Sequence, residues 1–420
     1  MAVGGVRYFL YKSPIILRMC YLFGSFLLII NGGITDLLDF GFMGITIISN
    51  YLTTRVSKDT TEQIDKKHYK GTGRNRMKPE FIFLSQEEVI AAGGLDIKDT
   101  LEAVELGFAI HGRKECVQPP KTNLRKGPPG SPQAEQGLIM ALPGYVGGNC
   151  DVVGIKWVLA MAENPQKYGL PRSSALIILN DAETGLPLVI MDGTIVNAVR
   201  TGAVTGIGAK YLARPNSKVM ALIGAGPQGR MQIRGVVNSM PAIKEVHIFD
   251  LNRERSETLA GEINAEFPVR VTVAESAEKA VRGSDIVVTA TVTTKPYLLR
   301  EWLAPGAFYG DIAANDATLA VYQGADKIFV DDWGQIKYHG VGTLVNALHQ
   351  GEIEEDVITG ELGEVVIGKK KGREASDDLI IFKHIGMAAT DLPEALRIYK
   401  KAKAQGLGTK IALWKEQPIW

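Results

Sequence analysis

Residues 219–229 read Val-Met-Ala-Leu-Ile-Gly-Ala-Gly-Pro-Gln-Gly, and the next apolar run, Val246-His247-Ile248-Phe249, ends in Asp250. An apolar strand runs into Gly224-x-Gly226-x-x-Gly229, a helix is expected next, and an acid follows about twenty residues later. Gly224 permits the tight strand-to-helix turn. Gly226 has no Cβ, so the backbone can approach a pyrophosphate. Gly229 lets the helix pack closely on the sheet. Pro227 and Gln228 open the helix, whose free N–H groups and positive dipole end favour phosphates. Asp250 can accept hydrogen bonds from ribose hydroxyls and would repel a 2′-phosphate, which favours NAD over NADP. Arg253 and Arg255 keep NADP open, unless they are simply exposed residues of the following helix.

The pattern extends on both sides of this turn. Downstream, helices expected from about 228 and at 253–265 alternate with strands at 245–249, 269–273, 285–290, 308–312 and 327–331. That alternation implies a parallel sheet with right-handed crossovers, a Rossmann doubly wound domain over 210–375. Upstream, 77–209 reads as mixed α+β. A short strand, 81–84, precedes a capping box of Ser85 and Glu88, and a helix is expected over 97–111. Strands at 137–143, 152–160 and 174–180 follow. Asp181-Ala182-Glu183-Thr184-Gly185 forms a hairpin turn into a strand at 186–191, and 194–212 is a helix rich in Ala and Gly. Residues 376–420 contain a helix from Leu392 and are expected to return to the first domain. The fold class is α/β, with a mixed α+β domain over 77–209 before the dinucleotide domain.

The 420 residues carry a formal charge of +1, which gives no footprint for nucleic acid. Three cysteines form neither a metal spacing nor a disulfide framework, and a reducing cytoplasm fits them. The six histidines are scattered, and no metal site is expected. Residues 1–76 hold ten Lys/Arg against five Asp/Glu, with apolar stretches at 19–30 and 37–52. Charges, Gly and Asn interrupt both stretches, so neither is a clean span. The expectation is a start placed upstream of the true one at Met77. A membrane anchor or a targeting extension are the alternatives, and membrane contact is expected only if 1–76 are translated.

Several further segments carry a resemblance. They are Val117-Gln118-Pro119-Pro120-Lys121, Gly154-Ile155-Lys156-Trp157, Gly169-Leu170-Pro171-Arg172, Leu179-Asn180-Asp181, Met191-Asp192-Gly193 and Ala198-Val199-Arg200-Thr201-Gly202-Ala203. Asp331-Asp332-Trp333, Glu361-Leu362-Gly363-Glu364 and Gly386-Met387-Ala388 complete the set. With the glycine turn, they make 80–410 resemble the ornithine cyclodeaminase/μ-crystallin family. The resemblance implies that the first domain, 77–209, is the substrate-binding and dimerisation domain, with a homodimer joined through its sheet edges, and a small amino- or imino-acid substrate. Ornithine cyclodeamination to proline and ammonia is the first expectation. Alanine dehydrogenase, ketimine reductase or carboxyalkyl amino acid dehydrogenase activity is the alternative, and a μ-crystallin-like binding protein is the third reading.

The resemblance also implies roles for single residues. Lys156 holds a carboxylate or relays protons, provided it is not an outward-facing lysine on an amphipathic strand; burial would lower its pKa. Arg200 clamps the substrate carboxylate, or pairs with a structural acid. Thr201 bonds the coenzyme. Lys121, held by Pro119-Pro120, is a second carboxylate contact or a solvated lysine. Asp316 is catalytic or a helix N-cap. Several cyclodeaminases have Asp-x-Pro-Gly-Lys there, and this chain has Asp316-Ala317-Thr318-Leu319, which weakens ornithine specificity. Thr291, with Thr289 and Thr293, lines the nicotinamide side or is an ordinary β-rich threonine run. His384 closes over the coenzyme or is structural.

Overall fold

The computed structural model describes residues 79–127, 131, 137–339 and 342–414. The expectations about 1–76 lie outside them. In chain order the strands are β1 (Glu80–Leu84), β2 (Cys116–Val117), β3 (Thr122–Leu124), β4 (Gly137–Val146), β5 (Val152–Met161), β6 (Ser173–Asp181) and β7 (Pro187–Asp192). Then come β8 (Val219–Ile223), β9 (Glu245–Phe249), β10 (Arg270–Val273), β11 (Ile286–Thr289) and β12 (Phe308–Asp311). The last are β13 (Lys327–Val330), β14 (Ile358–Glu361), β15 (Ile380–Lys383) and β16 (Thr409–Ala412). The long helices are α1 (Ile97–Gly112), α2 (Thr194–Leu212), α3 (Pro227–Ser239), α4 (Arg253–Glu266) and α5 (Ala388–Ala404).

These strands form two sheets. The first runs β16-β1-β7-β6-β5-β4-β2, with β3 also paired to β4. It is antiparallel except where β1 meets β7. The second runs β10-β9-β8-β11-β12-β15-β13-β14 and is parallel throughout. The boundary expected at 375 therefore moves. β15 lies between β12 and β13, in the interior of the parallel sheet. Only after it does the chain return to the first sheet, through α5 and β16. No helix among the described residues is long and apolar enough to cross a membrane.

Local chemistry sets these elements. Ser85 and Glu88 form the capping box, and Asp96 caps α1 through the N–H groups of Lys98 and Asp99. The Asp181 carboxylate accepts from the N–H and hydroxyl of Thr184, closing the hairpin into β7. On β8 the two-residue period divides the side chains between two cores. Met220 and Leu222 pack with α2 and α3, and Ala221 and Ile223 pack on the opposite face.

The two sheets are joined by an unusually close helix contact. A Cβ on Gly202 of α2 would lie 2.1 Å from the carbonyl oxygen of Met231 in α3. One on Gly235 of α3 would lie 2.0 Å from the carbonyl oxygen of Gly202. The helix that follows the dinucleotide turn is thereby packed backbone to backbone against the helix carrying Arg200. Gly235→Val is expected to destabilise the fold by about 1–3 kcal/mol through overpacking. Denaturant unfolding with an unchanged midpoint would contradict this close packing.

Candidate active site

The glycine turn sits where the strand order of the parallel sheet reverses, between β8 and β11, where open α/β sheets bind ligands. Gly224 has φ +103°, and a Cβ there would meet the Ala290 carbonyl oxygen at 2.6 Å. A Cβ on Gly229 would meet the Gly224 carbonyl oxygen at 2.0 Å. Gly226 is different: nothing lies within 4 Å of its Cβ position. Gly226 is also the N-cap of α3, with Pro227 in the first turn and no side chain capping the helix. An open cradle and an uncapped helix start fit a dinucleotide phosphate. Asp250 follows β9. Its carboxylate accepts from the N–H groups of Ala225 and Asn252, both at 2.8 Å, which ties it to the turn. Arg253 is exposed and paired to Glu257 at 2.7 Å along α4, the bland alternative for that residue.

The second part of the candidate site is built on β5. Val152, Gly154, Lys156 and Val158 face inward, while Val153 and Trp157 face out. Lys156 is therefore an inward residue, 1% exposed, opposite the buried Leu142 and Ile177. Gly144 and Gly154, paired in register, leave a shallow place on this face. A Cβ on Gly144 would meet the Ala388 Cβ at 2.6 Å, and one on Gly154 the Leu392 side chain at 3.0 Å. The start of α5 settles there and brings Asp391 to Lys156.

Three cations converge on this point. Lys156 Nζ donates to Asp391 Oδ1 at 2.7 Å and to Asn197 Oδ1 at 3.0 Å. Arg200 Nη2 donates to the same Asn197 oxygen at 2.8 Å. Arg200 Nε lies 2.8 Å from the same Asp391 oxygen, an ion pair rather than an aligned hydrogen bond. Arg200 Nη1 and Asp391 Oδ2 are buried without hydrogen-bond partners. The guanidinium rests against Gly386, whose Cβ would lie 2.7 Å from Nη1. Lys121 Nζ donates to the Ile385 carbonyl at 2.9 Å, and its backbone N–H donates to Gln335 Oε1. Burial, then the Arg200 charge, depress Lys156 to a pKa of about 7, against the pull of Asp391. Burial likewise takes Lys121 down to about 8, partly offset by Asp331. Thr201 donates its hydroxyl to the Asn197 carbonyl at 2.6 Å.

Asp316 is held by the segment that follows β11. Its carboxylate accepts from the Thr291 hydroxyl at 2.6 Å and the Thr291 N–H at 3.2 Å, and from the Tyr297 hydroxyl at 3.4 Å. Burial pushes its pKa up. It is not the helix N-cap; Thr318 occupies that position. Thr289 bonds the Tyr309 hydroxyl, and Thr293 bonds within its own turn. His384 is structural: it is stacked on Phe382, bonded to Thr205 at 2.8 Å and held well below its ordinary pKa by burial and the cations around it.

The sequence reading missed Asn197 and Asp391. Asn197 lies one helical turn before Arg200. Asp391 is an acid among Ala388, Ala389, Leu392 and Pro393, in a helix stretch that is otherwise apolar apart from Thr390. An acid there was a signal for a buried cation partner. The structure also gathers His111, Asp332 and Glu361, with ligand atoms within 4.8 Å of one another. Their atoms already serve as a joint. Asp332 accepts from Gln118, and Glu361 accepts from Lys114 and the Trp333 N–H.

The described residues thus combine a dinucleotide-type glycine turn with a buried cluster of cations around Asp391. The ornithine cyclodeaminase/mu-crystallin family model matches residues 81–406, and the chain belongs to that family. It is 32% identical over 339 residues to N-((2S)-2-amino-2-carboxyethyl)-L-glutamate dehydrogenase of Staphylococcus aureus, covering 80% of this chain and 100% of that protein. The Thermococcus litoralis Delta(1)-pyrroline-2-carboxylate reductase, solved with NADH and L-proline, superposes with TM-score 0.73 at 30% identity, covering 78% of this chain and 99% of that one. An archaeal alanine dehydrogenase dimer with bound NAD superposes with TM-score 0.72 at 33% identity, covering 80% and 100%.

Proposed function

We propose that this chain is an NAD-dependent dehydrogenase or imine reductase, acting at the bond between Cα and nitrogen of a small amino acid. The observation that carries this reading is the buried Arg200 Nη1 without a partner, beside two lysines depressed toward neutral pH. A buried unsatisfied guanidinium donor is costly, and a substrate carboxylate satisfies it with charge-assisted hydrogen bonds. Bound NAD or NADH supplies the hydride acceptor or donor for the substrate Cα. Lys156 uses two of its three N–H positions on Asp391 and Asn197. The third is free to exchange a proton with the substrate nitrogen, at a pKa matched to neutral pH. Lys121 adds positive charge for the carboxylate. Asp316 orients Thr291 on the nicotinamide side, and burial raises its pKa. The relatives' activities as an alanine dehydrogenase, a cyclic-imine reductase and a carboxyalkyl amino acid dehydrogenase support net redox turnover. The unpaired thiols of Cys116 and Cys150 suit a cytoplasmic protein.

The purified chain is to be incubated with NAD and L-alanine, L-proline, L-ornithine or an N-carboxyalkyl amino acid, and with NADH and the matching imino acids. Net NADH change with one pair is expected. Proline and ammonia from ornithine without net NADH would move the assignment to a cyclodeaminase. Tight dinucleotide binding with no turnover of any substrate would make it a binding protein. Lys156→Ala should cost about 100–10,000-fold in turnover, the usual range for an acid–base group, with dinucleotide affinity nearly intact.

We further propose a homodimer through the first sheet. Trp157 and Leu176 are register partners, 40% and 45% exposed, and Val153 is exposed on the same face of β5. Val117 and Leu124 extend the exposed apolar surface to the β2–β3 edge. Sedimentation should give a dimer for the native chain and a monomer for Trp157→Asp; a native monomer would overturn this.

A further inference from the structure

We propose that Asp391 is the positioning residue that holds the proton on Lys156 and keeps Arg200 aligned until a substrate carboxylate arrives. The proposal rests on the reading of Lys156 as the proton-carrying group. It begins from a shared atom: one oxygen, Asp391 Oδ1, touches both Lys156 Nζ at 2.7 Å and Arg200 Nε at 2.8 Å. Asp391 is fully buried, so it exchanges these contacts with no solvent. It sits in the first turn of α5, where the helix dipole favours a negative charge.

The charges around Lys156 come from three elements. Arg200 comes from α2, Lys121 from the segment before β3, and Asp391 from α5. Lys121 in turn faces Asp331 and Lys383. Among the charges acting on Lys156, Arg200 and Lys121 push its proton off, and Asp391 alone holds it on. Asn197 bridges the same two cations as Asp391 but is neutral. Asp391 and Asn197 are therefore two seats for one charge, and only one of them carries it.

This geometry gives an experiment with opposite signs. Asp391→Asn removes the anion from Lys156, so Lys156 should lose its proton at a pH lower by about one unit or more. Asn197→Asp adds an anion at the other seat and should move that midpoint to higher pH. The double variant Asp391→Asn with Asn197→Asp moves the charge from one seat to the other and should return the midpoint toward the native value. The readout is the Lys156 signal in nuclear magnetic resonance of the full chain carrying isotope-labelled lysine, assigned by its loss in Lys156→Met. The same shifts should appear in the pH at which imine reduction falls to half, because the protonated lysine is the form required there. An unmoved midpoint in Asp391→Asn, or no recovery in the double variant, would overturn the proposal. A merely structural Asp391 would lower activity at every pH without moving the midpoint. If Asp391→Asn does not fold, the shift in Asn197→Asp decides alone. If no substrate is turned over, the resonance titration still reads the coupling, so loss of the functional reading is distinguishable from loss of this one.

Discussion

A single carboxylate oxygen, Asp391 Oδ1, carries two buried cations, and the active end of the molecule is arranged around that imbalance. Lys156 reaches it from a strand of the first sheet, and Arg200 from the helix that leads to the second. A buried ion pair contributes to stability only where its geometry repays the loss of hydration. Here the geometry is incomplete, because Arg200 Nη1 and Asp391 Oδ2 have no partners. A site left short of hydrogen bonds in one specific place is a site for a ligand that supplies them. The proposed ligand is an anion with a nitrogen nearby, an α-amino or α-imino acid.

The fold provides this arrangement through close backbone approaches. Gly144 and Gly154 let the start of α5 settle on the first sheet and deliver Asp391. Gly202 and Gly235 bring α2 against α3, so that the helix holding Arg200 is rigidly tied to the helix that starts at the dinucleotide turn. Asp331 accepts from the N–H groups of Ile385 and Gly386, while Lys121 donates to the Ile385 carbonyl. The short link between β15 and α5 is thus pinned from both sides. Substrate cations and coenzyme turn are held in one register by contacts that contain few side-chain atoms to flex.

Much of this was legible in the sequence. Where the determinants are local, the reading was close: the capping box at Ser85, the hairpin at Asp181, the span of α2 and the turn from β8 into α3. Gly224, Gly226 and Gly229 announce their roles because each follows from what a Cβ would strike. Lys156 was recognisable as a lysine in an apolar strand, and the alternation of β5 decides its direction. The partners of Lys156 were not legible. They lie 41 and 235 residues away in the chain; the acid in the apolar stretch at Asp391 signals a buried cation partner but not which cation it meets. The place of β15 was hidden for the same reason. Its apolar run, Ile380-Ile381-Phe382, is readable as a strand, but its insertion between β12 and β13 depends on a long-range crossover.

The most direct test is a crystal structure of the chain with its dinucleotide and a small α-keto or α-amino acid bound. The account predicts a carboxylate oxygen within hydrogen-bond distance of Arg200 Nη1, with the substrate nitrogen facing Lys156 Nζ. A carboxylate seated elsewhere, with Arg200 Nη1 still unpartnered, would contradict it.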